Sequence, residues 1–391
     1  MSKPKWLNDL QEHRNIAVSD NTPPVCREGE TAASWFNERR NEILAMYEKY
    51  MYGRIPPRAG SVEFRLVREK KTGLMIRREV EIICRNEGRT FSFPVLWLIP
   101  AQAEGPVPCI TALNFCGNAG VLPDEDLPDD STGGKGHGWQ AHRWAVPYFM
   151  EQKVALVTAA RNAVFCDQPS GRRGSIFSLF HEPEELGEDA RSFTAISGWA
   201  AGYRLLLELA LTDPEHIDAR RIWAHGHSRL GKTALWAGAN ESRFAGVVSN
   251  DSGCCGASLF RGQYGEKLEN ITAAFPHWSP EILDSFRDDP ARLPFDQHFL
   301  LGLIAPRPLL VASASEDIWA SPMCEFAAAC TASRVWRLFG ADGMPDGCVF
   351  PEPGNAVFGD CVAYSLRKGP HDVTVWDWEQ VFGFMRRCGQ L

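Results

Sequence analysis

One short segment of the chain carries a serine in a setting that can make it a nucleophile. The run AHGHSRLGK occupies residues 224–232, with Gly226 two residues before Ser228 and Gly231 three residues after it. The surrounding pattern predicts a strand at Arg221–Ala224 and a helix at Gly231–Ala239. A serine on a sharp turn between strand and helix is typical of a nucleophile elbow, where the hydroxyl is exposed and the next backbone N–H can donate to an oxyanion. The predicted chemistry is therefore nucleophilic catalysis by Ser228.

The same residues also satisfy a nucleotide-binding pattern. Residues 226–233, GHSRLGKT, match the phosphate-loop signature of a glycine, four residues and Gly-Lys-Ser/Thr. His227 and Arg229 are bulky at positions where such a loop must wrap its backbone around phosphate, so the elbow is favoured. A serine that only caps a helix is the remaining, non-catalytic interpretation.

The order of residues after the elbow favours a hydrolase. A serine of this kind requires an acid after a later strand and then a histidine nearer the carboxyl terminus. Beyond the predicted strand Pro308–Ala312, the chain contains one histidine, His371, in the loop sequence KGPHD. We expect His371 to remove the proton of Ser228 and later to protonate the leaving alcohol.

Three carboxylates are candidates for the acid that orients His371. Asp317 lies in the loop after the strand Pro308–Ala312, at the ordinary position for this acid, and is the first choice. Asp251 is the second, because it follows the strand after the elbow helix and so lies at the same edge of the sheet. Glu316, adjacent to Asp317, is the third.

The elements that must position these residues alternate between strands and helices. This alternation predicts βαβ units and a mostly parallel sheet, preceded by antiparallel edge strands. Further strands are predicted at Arg77–Cys84, Ser92–Ile99, Pro108–Asn114, Val154–Thr158, Phe244–Ser249 and Arg334–Phe339, and helices at Ser34–Tyr52, Ala195–Leu211, Met323–Ala332 and Trp378–Arg387. We assign residues 1–75 to an N-terminal helical approach segment packed on the core, and residues 76–391 to the catalytic domain.

Composition narrows the class of protein. The 391 residues carry a net charge of −8, with 44% hydrophobic and 23% charged residues, which is ordinary for a globular protein and argues against a nucleic-acid partner. No apolar run is long enough for a signal peptide or a membrane span. The twelve cysteines show no metal-binding spacing and are expected to be reduced, and no cofactor is expected. We therefore expect a protein that does not bind a membrane and that is cytoplasmic, or periplasmic or secreted if a leader has been removed.

From about Leu113 to Arg387 the chain resembles the glucuronoyl esterases, carbohydrate esterase family 15, and especially their bacterial members. The resemblance rests on the elbow sequence GHSRLGK at 226–232 and on several shorter motifs. These are LNF at 113–115, GN at 117–118, SNDSG at 249–253, FPHW at 275–278, DQH at 296–298, APRP at 305–308, ED at 316–317 with Trp319, and GPHD at 369–372. It implies an α/β-hydrolase fold, a three-layer αβα sandwich with a mostly parallel central sheet.

The resemblance also implies roles for individual residues. Ser228 corresponds to the family's nucleophile, Arg229 to a residue that helps to hold the oxyanion, and Lys232 to one that contacts the sugar. Glu269 and Trp278 fall in the region where other sugar contacts would lie. The family places its acid at either of the two positions occupied by Asp251 and by Glu316 and Asp317. The segment 161–180 differs from typical members.

We therefore expect a serine esterase that cleaves esters of glucuronic or 4-O-methylglucuronic acid on xylan or lignin-carbohydrate fragments through an acyl-enzyme. The partner would be a small-molecule or oligosaccharide ester. An esterase acting on acetylxylan or another small carbohydrate ester is the alternative, and a nucleotide-binding protein is the remote one.

Overall fold

The fold is built on one ten-stranded mixed sheet, seen in a computed structural model that describes residues 22–262 and 264–391. The strands are β1 Ser61–Lys71, β2 Met75–Asn86, β3 Arg89–Pro100, β4 Val107–Asn114, β5 Ala155–Ala160, β6 Ile217–His227, β7 Gly246–Asn250, β8 Leu309–Ala314, β9 Asn355–Phe358 and β10 Val362–Arg367. Their order is β1-β2-β3-β5-β4-β6-β7-β8-β10-β9. The strands from β5 to β10 in this order pair in parallel, whereas β1, β2, β3 and β9 pair antiparallel.

Alternation along the parallel strands separates two apolar cores. In β8, Leu309 and Val311 belong to one cluster of buried side chains, whereas Leu310 belongs to the other. In β5, Val157 and Leu156 are divided in the same way. Because successive side chains of a strand point to opposite faces, a strand that is apolar throughout must be covered on both faces.

Helices provide that cover on each face, and the result is the three-layer αβα sandwich expected from the sequence. The helices are α1 Ala32–Ser34, α2 Arg40–Tyr47, α3 Asn118–Val121, α4 Ala141–Trp144, α5 Val146–Glu151, α6 Arg161–Val164, α7 Ala195–Ala210, α8 Arg229–Asn240, α9 Leu268–Ala274, α10 His298–Gly302, α11 Pro322–Leu338 and α12 Val375–Arg387. Buried residues of α7, α8 and α11 join one core, and those of α4, α5 and α12 join the other.

The N-terminal segment packs on the first core and also contributes to the sheet. Helical turns continue from α1 through α2 to Tyr52, and Trp35, Ile43 and Tyr47 are buried there. Strand β1 pairs along its length with β2, so the sheet begins inside the range assigned above to the approach segment. Residues 1–21 of that range lie outside the described residues.

The predicted strand at Arg334–Phe339 is wrong. Residues up to Leu338 continue helix α11, in which Val335 and Trp336 face the core. The place beside β8 is taken by β10, which the sequence analysis missed. A short segment with two adjacent apolar residues fits one turn of a helix as well as a strand, so periodicity does not separate the two.

Two further features bear on the sequence expectations. The twelve cysteines all lie in the described ranges, and the structure joins none of them in a disulfide. Among the described helices, none combines the length and the apolar character that a membrane crossing requires.

Candidate active site

Ser228 lies on the turn between β6 and α8 in a strained backbone conformation. Its φ is 57° and its ψ is −129°, a region that side-chain-bearing residues rarely adopt. The side chain makes no capping hydrogen bond to α8, which argues against the helix-cap interpretation. Two close approaches require the flanking glycines. A Cβ at Gly226 would stand 1.9 Å from the carbonyl oxygen of Leu230, and one at Gly231 would stand 2.9 Å from the Cβ of Ser252.

We expect Gly226→Ala to lower the free energy of unfolding by at least about 3 kcal/mol, because the added methyl group collides with backbone that cannot move away. Gly383 in α12 is a matched control, since a Cβ there meets no atom within 4 Å. Gly383→Ala should instead stabilise the protein by up to about 1 kcal/mol, the helix-propensity difference. Urea unfolding of both variants measures these changes, and an unchanged midpoint for Gly226→Ala would contradict the tight elbow.

His371 is bound by the first-choice acid, Asp317. Its Nδ1 lies 2.5 Å from Oδ2 of Asp317. The Asp317 side chain is 6% exposed and the His371 side chain is 42% exposed, so a buried carboxylate holds an imidazole that reaches solvent. Ser228, Asp317 and His371 line the same cleft, whose volume is about 550 Å³. The arrangement leaves Nε2 of His371 as the nitrogen that can accept a proton.

Asp251, the second-choice acid, lines the same cleft but has a different environment. It is fully buried, and neither of its carboxyl oxygens has a hydrogen-bond partner among the described residues. Burial, followed by the negative charges of Asp317 and Glu325, raises the pKa of Asp251 well above its usual value. A carboxyl group in that environment is neutral over a wide pH range, and a neutral acid is a poor partner for an imidazolium.

His227 packs against the catalytic candidate His371. The two ring centroids are 4.4 Å apart, and Nδ1 of His227 lies 2.6 Å from Oδ1 of Asn250. Burial, and then the charge of His371, lowers the pKa of His227 well below its usual value. His227 is therefore a neutral ring that covers one face of His371.

Arg229 lies at the wall of the cleft, next to the nucleophile in sequence. Its guanidinium donates to the carboxylate of Asp167 and lies over the rings of Phe275 and Trp278, 4.8 and 4.5 Å from their centroids. The backbone N–H of Arg229 belongs to the first turn of α8, where N–H groups have no partner within the helix. Both donors are therefore suited to an anion that forms beside Ser228.

Lys232 and Trp278, the predicted sugar contacts, also line the cleft. The ammonium of Lys232 donates to the carbonyl oxygen of Ser252 and lies 5.9 Å from the ring centroid of Trp278. Trp278 is 4% exposed, stacks on Phe275 at 3.9 Å and donates its N–H to Asp167. Most of the Trp278 surface is therefore in contact with other residues of the protein.

Two predicted residues lie away from this cleft. Glu316 is exposed and adjacent to Asp317, and the His371 ring bonds Asp317 instead. Glu269 is exposed on helix α9 and is not among the residues that line the cleft. Glu266, three residues earlier, does line it, as do Asn270 and Trp319. The sequence analysis assigned no role to these three positions. It gave no indication of which residues near the start of α9 face the cleft, and it named Trp319 only as part of a motif.

The local geometry does not favour a phosphate loop. Residues from Arg229 onward are helical, and the amide N–H groups of Gly231 and Lys232 both point back to the carbonyl of Ser228.

One grouping in the described ranges offers three metal-binding side chains. It consists of Asp251, Asp317 and His371, whose ligand atoms lie within 4.8 Å of one another. Because Nδ1 of His371 is already hydrogen-bonded to Asp317, the same geometry suits proton transfer.

Comparison with known proteins agrees with this geometry. Residues 140–340 match a family model described as glucuronyl esterase of fungi. Carbohydrate esterase MZ0003, from an unknown prokaryotic organism, is 33% identical over 371 residues, which are 90% of this chain and 85% of that protein. The 4-O-methyl-glucuronoyl methylesterase of Phanerochaete carnosa is 32% identical over 212 residues, or 52% of this chain and 50% of that protein.

A solved structure extends the likeness over nearly the whole chain. The glucuronoyl esterase from Solibacter usitatus superposes with a TM-score of 0.85 at 35% identity, covering 94% of this chain and 97% of that one. The chain belongs to the glucuronoyl esterase family of carbohydrate esterases and has the α/β-hydrolase fold.

Proposed function

We propose that this protein cleaves esters of glucuronic acid or 4-O-methylglucuronic acid, with Ser228 as nucleophile, His371 as general base and acid, and Asp317 as the triad acid. The observation that carries the proposal is the 2.5 Å contact between Asp317 and Nδ1 of His371 in the cleft that Ser228 lines. The name of the relative from Phanerochaete carnosa supports the substrate class.

The reaction follows from these positions. His371 accepts the proton of the Ser228 hydroxyl as its oxygen bonds the ester carbonyl carbon, and the negative charge that develops on the carbonyl oxygen is met by Arg229. When the C–O bond to the alcohol breaks, His371 returns the proton to the leaving oxygen. Water then attacks the acyl-enzyme by the same route and releases the uronic acid and free Ser228.

The shape of the cleft suits a sugar ring. Its volume of about 550 Å³ lies in the range of small-molecule sites. Trp319 is 57% exposed and offers a ring face to a sugar, and Glu266 and Lys232 offer polar contacts to hydroxyl groups. We assign the sugar to this wall and the leaving alcohol to the open side of the cleft.

An ester panel tests the substrate class. We expect kcat/KM for methyl and benzyl glucuronate to exceed that for acetylated xylan by at least about 100-fold, because in acetylated xylan the sugar supplies the alcohol and not the acyl group. Matched methyl esters of galacturonate and glucuronate control for ester reactivity. Faster release of acetate than of methanol would support the acetylxylan esterase alternative and reject the proposal.

A further inference from the structure

A buried carboxylate behind the cleft wall binds Arg229. The Asp167 side chain is 6% exposed and lies between α6 and the short helical turn Pro169–Arg172. It lies 2.9 Å from the guanidinium of Arg161, and it accepts hydrogen bonds from Nε2 of His277 at 2.8 Å and from Nε1 of Trp278 at 2.7 Å. Asp167 itself does not line the cleft.

The guanidinium of Arg229 is held from two directions by these residues. One Nη donates to Asp167, and the guanidinium carbon lies 4.8 and 4.5 Å from the ring centroids of the stacked pair Phe275 and Trp278. Trp278 also donates a hydrogen bond to Asp167, so the same carboxylate holds both the guanidinium and the aromatic ring next to it. Nε of Arg229 is buried without a partner among the described residues.

The carboxylate of Asp167 is charged and its charge is shared. Burial would raise the pKa of Asp167, but the hydrogen bond from His277 and the charges of Arg161 and Arg229 outweigh it and lower the pKa below its usual value. Two guanidiniums share this one carboxylate, so the cluster keeps a net positive charge next to the cleft. The negative charge of Asp167 therefore does not cancel the positive charge that stabilises a developing oxyanion.

We propose that Asp167 is a positioning residue that fixes the guanidinium of Arg229 beside Ser228 for stabilisation of the oxyanion. This inference rests on the proposed function, in which Arg229 meets the negative charge of the tetrahedral intermediate. An arginine side chain is flexible, and a donor stabilises a transition state most when it is already in place.

A double-mutant cycle tests the proposal with methyl glucuronate as substrate. We expect Arg229→Ala to lower kcat by about 100-fold or more, the usual loss for one oxyanion donor. Asp167→Asn should lower kcat by at least about 10-fold with KM changed less than about 3-fold, because the lost interaction forms only in the transition state. The double variant should be no slower than Arg229→Ala alone, because Asp167 acts through that residue.

A matched control separates positioning from general folding. Asp213 also binds an arginine and a histidine, with contacts of 2.5 Å to Arg78 and 2.8 Å to His216, and none of these three residues lines the cleft. Asp213→Asn should therefore keep the wild-type kcat even if its melting temperature falls. If Asp167→Asn and Asp213→Asn lower kcat equally, the positioning role is rejected.

A second measurement does not require a folded Asp167 variant. In Arg229→Ala, the vacated site keeps Asp167 and the aromatic pair, so added guanidinium at tens of millimolar should restore kcat several-fold, and ammonium should not. The absence of selective rescue would overturn the positioning role.

The kinetics of the two single variants distinguish a wrong role for Arg229 from a wrong role for Asp167. If Arg229→Ala leaves kcat unchanged, the oxyanion role of Arg229 itself is wrong. If Arg229→Ala is slow but Asp167→Asn is as fast as wild type, only the role of Asp167 is wrong.

Discussion

Ser228→Ala should lower kcat for methyl glucuronate by a factor on the order of 10⁶, the loss seen when the nucleophile of a serine triad is removed. The substitution deletes only the hydroxyl oxygen. Alanine meets the same backbone strain at the φ of 57° as serine does, so the elbow should be retained. KM should change little, because the hydroxyl contributes to bond formation and not to ground-state binding.

Two measurements check this prediction. A serine-reactive phosphonate should label the wild-type protein once, on the peptide that contains Ser228, and should not label the variant. Thermal unfolding of both proteins controls for loss of fold. Activity of Ser228→Ala within 100-fold of wild type, in a preparation free of other esterases, would reject the acyl-enzyme mechanism.

Asp317→Asn should lower kcat by a factor of about 10⁴, because an amide at this position holds the wrong tautomer of His371 and cannot stabilise its charged form. Asp251→Asn should lower kcat by less than about 10-fold. Its buried carboxyl is held neutral by desolvation, so an amide of the same shape changes the local charge little.

Stability against pH gives an independent check on Asp251. Its folded-state pKa is raised, so at low pH both the folded and unfolded states are protonated and the residue imposes no penalty. As pH rises above about 4, the unfolded carboxyl ionises while the folded one remains neutral, and the wild type loses stability relative to Asp251→Asn. The stability of the variant relative to wild type should therefore rise as the pH increases above about 4, which urea titrations at a series of pH values measure. Equal losses of kcat in the two aspartate variants would contradict the assignment of Asp317.

Much of the fold could be predicted from the sequence because periodicity is local. The apolar runs at β3, β4, β5 and β8 and the long amphipathic helices are confirmed, since a buried strand or helix face requires its pattern whatever surrounds it. The exceptions have physical reasons. Strand β1 is charged and lies at the sheet edge, where no apolar pattern is required. In β10, Ser365 and Arg367 interrupt the apolar residues, so no continuous apolar run marks that strand.

The sequence by itself determined which residues are proposed as the nucleophile and its base. Ser228 is defined by glycines that the turn requires within three residues of it, and His371 is the one histidine after the predicted strand Pro308–Ala312. Both conclusions depend on residue types and on their order along the chain, which are visible without coordinates.

Only the tertiary structure decided between the carboxylates and revealed the anchor of Arg229. Asp317 and Glu316 are adjacent, yet the path of one loop buries the first against His371 and exposes the second. Asp167 meets Arg229 across 62 residues of sequence. Contacts between such distant segments depend on how the layers pack, and local patterns of hydrophobicity contain no information about which side chains then face each other.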